Sequence, residues 1–347
     1  MKLILENGMV FKGKNFGSSK KQIGELFFHT SMVGYQDILS DPSYFGKIVC
    51  MSYPLIGNYG LADDDYDSKN IHILGYIVKE NNDSPSNFRS TRILSDAMEE
   101  NNVTGLEGVD TRELVKILRN NGLMKAMIAN DNDDEIQCLE ELKSFKEIEN
   151  QVEKVSCKKV WYSRTSNPIK NVVIIDLGLK TSLVKLLNHY GINVTVVPFN
   201  YPIEQIHKFK PNGIIFSHGP GNPNNYQETI KLIENLKGKY PLLGLGLGSE
   251  IIALSYGCQV EKMKHGHQGS NLPIRNVETN KIEISSQNHF YSITLNEKLK
   301  LTHQNVLDKD VEGFIDIENK VLGIHYIIQE TLSEEDNVIT NFLKLMK

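Results

Sequence analysis

The chain has 347 residues, 40% of them hydrophobic and 23% charged, which predicts two globular domains. Its net charge of −5 argues against a nucleic-acid or anionic-membrane partner, because binding phosphates needs a concentrated basic surface. The N-terminal apolar run is broken at Glu6 and Asn7, too early for a signal peptide, and no stretch is long and apolar enough to span a membrane. Four scattered cysteines argue against a disulfide framework or a zinc site and favour a cytoplasmic protein.

Residues 1–150 are expected to form a smaller domain of mixed α/β type. Short β-like runs lie at residues 2–5 and 25–29, and apolar runs at 47–53 and 71–78 predict buried strands.

A helix is predicted to begin at Asp110. Asp110 and Glu113 have the spacing of a capping box, in which the first side chain accepts a hydrogen bond from the backbone of the second. Leu114, Ile117 and Leu118 then fall on one helical face. An acidic helix start follows at residues 131–135, and residues 151–169 are polar, lack periodicity and are expected to be a linker.

The remaining domain, residues 170–347, alternates apolar strands with amphipathic helices. This pattern predicts an α/β fold with a doubly wound, mostly parallel sheet whose strand carboxyl ends share one ligand-binding edge. The predicted strands are residues 172–176, 193–197, 213–217 and 241–245, and the predicted helices are 181–190, 203–209, 229–236 and 251–256.

Two glycine-rich segments follow predicted strands of this domain. Residues 216–223 read FSHGPGNP, so Gly219 and Gly221 could bring backbone N–H groups close to a ligand, or simply form a tight turn. Residues 241–250 read PLLGLGLGSE and predict the strand–turn–helix of a nucleophile elbow. Its central residue is Gly246, which has no side chain; the alternative is a phosphate-binding turn, although the spacing is not GxGxxG.

The elbow resembles G-[IVL]-C-x-G-x-Q of the class I glutamine amidotransferases, and residues 217–223 match their SNGPGDP loop. Residues 262–271 and 286–289 resemble KMKFGHHGGN and AQNH of carbamoyl-phosphate synthetase small subunits. Residues 30–44 (TSMVGYQDILSDPSY), 52–58 (SYPLIGN), 86–89 and 108–112 match the N-terminal signatures of the same family in the same order. By resemblance over essentially its whole length, the chain is identified as a member of that family.

The resemblance implies a subunit that hydrolyses glutamine and supplies ammonia to a large synthetase subunit in a heterodimer. The large subunit makes carbamoyl phosphate from bicarbonate, ATP and ammonia, for arginine or pyrimidine biosynthesis. ATP and magnesium are then expected on the large subunit, and no cofactor in this chain.

The same resemblance places the family's Cys, His and Glu triad at Gly246, Ile327 and Gln329, so none of the three catalytic groups is present. Ser249, Cys258 and His325 are the nearest substitutes. Ser249 lies about a turn beyond the elbow, Cys258 lies past the elbow helix, and His325 has no acid two residues later.

The family positions that contact glutamine have also changed. Glu250 replaces a Gln, Phe290 a Gly and Tyr291 a Phe, so a partly blocked pocket is expected. The full set by family position is Ser31, Gly219, Gly221, Leu247, Glu250, Asn288, Phe290 and Tyr291. His265, His267 and His289 could suggest a metal, but they stand in loops that resemble structural ones of the family, and no metal is expected.

Three functions remain open on sequence alone. The first is a small subunit without glutaminase activity that acts as structural or regulatory partner of the large subunit. The second is a glutaminase that uses non-standard residues. The third is a diverged binding or regulatory paralogue.

Overall fold

The computed structural model describes residues 1–328 and 338–347, and these form two compact units, Met1–Ile148 and Glu149–Lys347. The division lies beside the boundary expected near residue 150. Gln329, one of the three predicted triad positions, lies outside the described residues.

The first unit contains a mixed eight-stranded sheet in the order β2-β1-β10-β4-β5-β7-β9-β3, and a separate pair of strands, β6 and β8. Strands β4, β5, β7 and β9 are parallel, and the other pairs in the large sheet are antiparallel. The strands are β1 Lys2–Leu5, β2 Val10–Lys12, β3 Lys14–Gly17, β4 Gln22–His29, β5 Lys47–Met51, β6 Leu55–Ile56, β7 Gly75–Ile77, β8 Glu80–Asn81, β9 Thr104–Glu107 and β10 Met124–Ala129. The helices are α1 Tyr35–Ser40, α2 Leu94–Glu100, α3 Thr111–Asn121 and α4 Glu135–Ser144.

Helix α3 begins where the capping box predicted. The Asp110 side chain accepts a hydrogen bond of 3.0 Å from the backbone N–H of Glu113. Leu114 and Leu118 are buried against the sheet core, whereas Ile117 is only partly buried. Each buried leucine contributes roughly 2 kcal/mol through removal of apolar surface from water, so the packed face outweighs the cap in holding the helix.

The second unit carries a sheet of ten strands among its described residues, in the order β11-β13-β12-β14-β15-β20-β19-β18-β16-β17. The strands are β11 Trp161–Ser163, β12 Lys170–Asp176, β13 Ile192–Pro198, β14 Gly213–Phe216, β15 Leu242–Leu245, β16 Gln259–Asn276, β17 Ile282–Thr294, β18 Lys300–Asn305, β19 Val311–Asp316 and β20 Val321–Ile324. The helices are α5 Gln151–Val155, α6 Thr181–His189, α7 Ile203–Lys208, α8 Gln227–Leu236, α9 Leu247–Ser255 and α10 Val338–Leu345.

Half of this sheet is the predicted doubly wound arrangement. Strands β13, β12, β14, β15 and β20 run parallel, with apolar residues packed on both faces. Val173 and Ile175 face one core while Val172 and Ile174 face the other, as expected for strands covered on both sides. Beyond β20 the sheet continues through antiparallel pairs to β17.

Residues 151–169, expected to be a linker, instead contain α5 and β11 of the second unit. Strand β11 adds to the sheet edge, with Trp161 opposite Val196 on β13. Val152 of α5 is fully buried, and its backbone N–H donates to the Tyr226 hydroxyl at 3.3 Å. A three-residue strand and a five-residue helix are too short to show periodicity, which explains the error.

No helix among the described residues has the length and hydrophobicity needed to cross a membrane.

Candidate active site

The predicted elbow is present between β15 and α9. Gly246 joins the two elements with φ 51° and ψ −117°, a conformation that L-residues rarely adopt. Its N–H donates to the Ile324 carbonyl on the neighbouring β20 at 2.9 Å. The backbone therefore makes the sharp strand-to-helix turn on which a nucleophile would be displayed.

Close backbone packing explains why Gly248, the last glycine of the elbow segment, has no side chain. A Cβ on Gly248 would lie 2.1 Å from the Phe216 carbonyl oxygen of β14, so no larger residue fits without a shift of the backbone. The Gly248 N–H also donates to the Ser217 carbonyl at 3.2 Å. This glycine allows α9 to start against β14, as strand–turn–helix packing requires.

His218 lies where a side chain at position 246 would project. A Cβ on Gly246 would be 2.8 Å from His218 Cδ2, closer than real Cβ contacts come. His218 belongs to the loop after β14, stands at the Asn of the SNGPGDP motif, and is buried. The residue at the centre of the elbow therefore has no side chain, and an imidazole fills the adjoining space.

Glu250 and His325 form a buried ion pair that the sequence did not reveal. Glu250 lies in the first turn of α9 and His325 directly follows β20. His325 Nε2 donates to Glu250 Oε1 at 2.9 Å, and the two residues are 1% and 3% exposed, respectively. The acid that pairs with His325 comes from 75 residues earlier in the chain rather than two residues later.

Both nitrogens of His325 are engaged. Its Nδ1 donates to the Val311 carbonyl at 3.2 Å while Nε2 donates to Glu250, so the ring is an imidazolium. Burial lowers the pKa of His325, but the hydrogen bond and charge of Glu250 outweigh burial and raise it to about 9. Since neither nitrogen is left to accept a proton, His325 does not have the geometry of a general base.

The alternative nucleophiles are not placed for catalysis. Ser249 is fully buried and its hydroxyl donates to the Gly246 carbonyl at 2.7 Å. Cys258 is buried, and burial raises the pKa of its thiol, which disfavours the reactive thiolate. Ser217 donates its hydroxyl proton to the His218 carbonyl at 2.9 Å. The hydroxyls of Ser249 and Ser217 are therefore oriented by backbone carbonyls rather than by an imidazole.

The position of the family base carries an aliphatic side chain on a short bridge between strands. The Ile327 backbone N–H donates to the Ser286 carbonyl at 2.8 Å, which holds the segment after β20 against β17. The side chain at Ile327, the predicted position of the base, is aliphatic and cannot accept a proton.

The predicted glutamine-contact positions are divided between the two units. Ser31 lies in the first unit and is buried; the other seven lie in the second. Gly219 lies beside the elbow helix, because a Cβ there would be 2.9 Å from Leu247 Cδ2. Gly221 has φ 97° and neighbours the Tyr226 hydroxyl.

The last three of these positions lie on β17 and are half-buried: Asn288, Phe290 and Tyr291. Asn288 pairs with Gln268 of β16, while Tyr291 packs against the core that includes Leu247. Side chains alternate along a strand, so Asn288 and Phe290 share one face and Tyr291 belongs to the other.

The histidines form a different group from the one noted in the sequence. The His267 and His289 rings meet edge to face with centroids 4.9 Å apart, and His325 stacks on His289 at 3.7 Å. Glu312 lies at the centre of this group, 3.3 Å from His289 Nε2. Glu312 was missed because a single acidic residue forms no recognisable motif. It lies in strand β19 and is fully buried, and an acidic residue within an apolar run would have been the signal to look for.

The charges in the group are strongly coupled. Burial raises the pKa of the Glu312 carboxyl, but the nearby His289 and the hydrogen bonds from His267 and His289 outweigh burial and lower it. Burial, reinforced by the positive charge of His325, lowers the pKa of His289. The His289 ring is therefore neutral, whereas the His325 ring is charged.

Comparison with known proteins identifies the families that the two units resemble. Residues 3–128 match the family model "Carbamoyl-phosphate synthase small chain, CPSase domain", and residues 173–337 match "Glutamine amidotransferase class-I". The "Carbamoyl phosphate synthase pyrimidine-specific small chain" of Halalkalibacterium halodurans is 40% identical, covering 99% of this chain and 96% of the relative.

Two further relatives show the same match. The pyrimidine-specific small chain of Bacillus subtilis is 42% identical over 90% of this chain and 86% of its own length. The small chain of Clostridium perfringens is 41% identical over 94% of this chain and 93% of its own length. Because the similarity spans both units, the chain belongs to the carbamoyl-phosphate synthase small-chain family and carries that family's class I glutamine amidotransferase domain.

Proposed function

We propose that this chain is a carbamoyl-phosphate synthase small subunit that does not hydrolyse glutamine and acts as structural or regulatory partner of the large subunit. One observation carries the proposal: the nucleophile position is Gly246, and the space beside it contains His218. Hydrolysis of a side-chain amide in this family needs a nucleophile, and loss of that group alone costs on the order of 10⁶ in kcat in a comparable triad.

The glutamine pocket is also altered in a way that disfavours the ligand. Glu250, where the family has an amide, is held by His325 at 2.9 Å and offers no amide donor. Phe290 adds an aromatic ring at a family glycine. Isothermal titration of the chain with glutamine is expected to give no micromolar binding, and a micromolar dissociation constant would contradict this part of the proposal.

The relatives named as small chains support a large synthetase chain as the partner. In this proposal the large subunit binds ATP and magnesium and uses free ammonia, while the small chain needs no cofactor. Two relatives named as pyrimidine-specific favour the pyrimidine pathway over the arginine pathway. The four cysteines, all unpaired, support a cytoplasmic location.

The test is reconstitution of this chain with the large subunit of the same organism. Carbamoyl phosphate formation is expected with ammonium chloride and not with glutamine as nitrogen donor. A hybrid of the same large subunit with an intact small chain that carries cysteine at the elbow is the control, and it should use both donors. Glutamine-dependent synthesis by the native pair would refute the proposal.

A binding assay separates a subunit from a diverged paralogue. Co-purification of the two chains in a 1:1 complex, with altered ammonia-dependent kinetics, is the expected result. Failure to form a complex at micromolar concentrations would favour a paralogue that has left carbamoyl-phosphate synthesis.

A further inference from the structure

A buried group of nitrogen and oxygen ligands ties together three strands at the antiparallel end of the second sheet. His267 lies on β16, His289 on β17 and Glu312 on β19. One ligand atom from each residue lies within 4.8 Å of the other two. The side chains of His289 and Glu312 are 1% and 0% exposed, and that of His267 is 11% exposed. The group is enclosed but open at one side.

The outer nitrogens of both histidines are held by acceptors. His267 Nε2 donates to the Asp308 carboxylate at 2.7 Å, and His289 Nδ1 donates to the Tyr291 carbonyl at 3.2 Å. This leaves His267 Nδ1 and His289 Nε2 directed at the same atom, Glu312 Oε1, at 3.5 and 3.3 Å. Histidines that bind metals usually donate their second N–H to a carboxylate or carbonyl in this way.

The two distances to Glu312 Oε1, 3.5 and 3.3 Å, fit a four-coordinate metal, and the two nitrogens lie within 4.8 Å of each other. With metal–ligand bonds of about 2.0–2.2 Å, neighbouring ligands of a tetrahedral site stand about 3.3–3.6 Å apart. In addition, Glu312 Oε2 is buried and has no hydrogen-bond partner among residues 1–328 and 338–347. A fully buried carboxylate oxygen without a partner is costly, and a bound cation would stabilise it.

A second overlapping set, His289, Asp310 and His325, is less suitable. Both His325 nitrogens already donate, to Glu250 and to the Val311 carbonyl, so the ring has no lone pair to offer a metal. His267 and His289 instead direct their second nitrogens at Glu312 Oε1, and His267 Nδ1 also lies 3.4 Å from Asn305 Nδ2. A cation that replaces the proton on each of these two nitrogens would find a lone pair there.

We propose that His267, His289 and Glu312 form a structural site for a divalent transition metal of the Zn²⁺ type, with Asp308 orienting His267. Two histidines and one carboxylate are a ligand set that Zn²⁺ takes in proteins, leaving a fourth position for water. From the sequence no metal was expected. The set considered there was His265, His267 and His289, which includes a residue outside this site and lacks Glu312. The site joins β16 and β17 to β19, and it is independent of whether glutamine is hydrolysed.

The first test uses the full chain after removal of metals with EDTA. Titration with ZnCl₂ is expected to show one ion bound per chain and a rise in the thermal unfolding midpoint. Addition of Co²⁺ in place of Zn²⁺ should give the intense visible absorption of a tetrahedral site. No saturable 1:1 binding and no such spectrum would mean that the group is held by hydrogen bonds alone, and would overturn the proposal.

Variants assign the binding to these residues. Glu312→Gln removes the ligand charge with little change in shape, and it should weaken Zn²⁺ at least tenfold. Asp308→Asn changes a half-exposed residue outside the ligand set and should weaken Zn²⁺ binding about 10–100-fold. It keeps the proposal testable if the buried Glu312→Gln variant fails to fold. His189→Gln, an exposed histidine in the last turn of α6, is the matched control and should bind like the unmodified chain. Equal affinity in all three variants would place the ion elsewhere and refute the assignment.

Discussion

Among single residues, Gly246 has the largest consequence for chemistry. Its backbone keeps the elbow geometry, with φ 51° and a hydrogen bond to Ile324, although no side chain is there to use it. His218, in the neighbouring loop, lies in the volume that a side chain at position 246 would enter. The present position of His218 therefore depends on the absence of a side chain at Gly246.

Restoring the sulfur alone should not restore activity. In Gly246→Cys the new Cβ would meet His218 Cδ2 at 2.8 Å, so we expect a loss of about 1–3 kcal/mol in the free energy of unfolding. No glutamate release from glutamine is expected, since Ile327 provides no base. Urea unfolding and a coupled glutamate assay measure the two effects.

The double variant Gly246→Cys with His218→Ala serves as comparison. It should recover part of the lost stability, because the clash is removed, and still release no glutamate. Glutaminase activity in either variant would show that another group serves as base.

The Glu250–His325 pair gives a second residue-scale prediction. Glu250→Ala leaves a buried imidazolium without its carboxylate, so a loss of about 3–5 kcal/mol in unfolding free energy is expected. Glu250→Gln keeps the shape and an acceptor and should cost less. Lys14→Ala, which breaks a solvent-exposed pair with Glu107, is the control and should leave the denaturation midpoint unchanged. A midpoint for Glu250→Ala equal to the control would contradict the role of the pair.

Only part of this site was readable from the sequence. Gly246 and Ile327 stand at motif positions, so their chemistry follows from residue type alone. The contact of His218 with position 246, the Glu250–His325 pair and the place of Glu312 arise from strands and loops distant along the chain. Local patterns do not encode such contacts, because they depend on which strands become neighbours.

At the scale of elements, the strands and helices that were predicted correctly are those with the strongest local sequence pattern. Continuous apolar runs identified the parallel strands β12 to β15, and the capping box located α3 to the residue. Strands β16 and β17 were missed because exposed and half-buried polar residues interrupt their alternation. Hairpin pairing, rather than residue preference, holds this part of the sheet together.

The cap of α3 can be tested at this scale. Asp110→Ala removes the acceptor of the Glu113 N–H and should lower the free energy of unfolding by about 1 kcal/mol. Lys116→Ala, an exposed change within the same helix, should have little effect. Both are measured by urea denaturation of the full chain. An unchanged midpoint for Asp110→Ala would mean that packing of the leucine face alone sets the helix start.

At the scale of the whole molecule, each unit has its own sheet and its own core among the described residues. All eight strands of the first large sheet lie within residues 1–148, and their apolar side chains form a buried cluster with α3. A fragment 1–148 is therefore expected to unfold in one cooperative transition, followed by circular dichroism in urea.

A shorter fragment supplies the control. Residues 1–121 lack β10, which pairs with β1 on one side and β4 on the other. This fragment should show no cooperative transition. A fragment 1–148 that behaves like fragment 1–121 would mean that the first unit depends on the second for folding.

The position of β10 also bears on how the protein is made. The last strand of the first sheet in sequence is an interior strand in space, between β1 and β4. While the ribosome is still adding residues before Met124, the nascent chain holds two strands with unpaired hydrogen-bonding edges and no partner to insert between them. We therefore expect the sheet of the first unit to be completed only after Ala129 has emerged, and until then the facing edges of β1 and β4 are open to pairing with other strands.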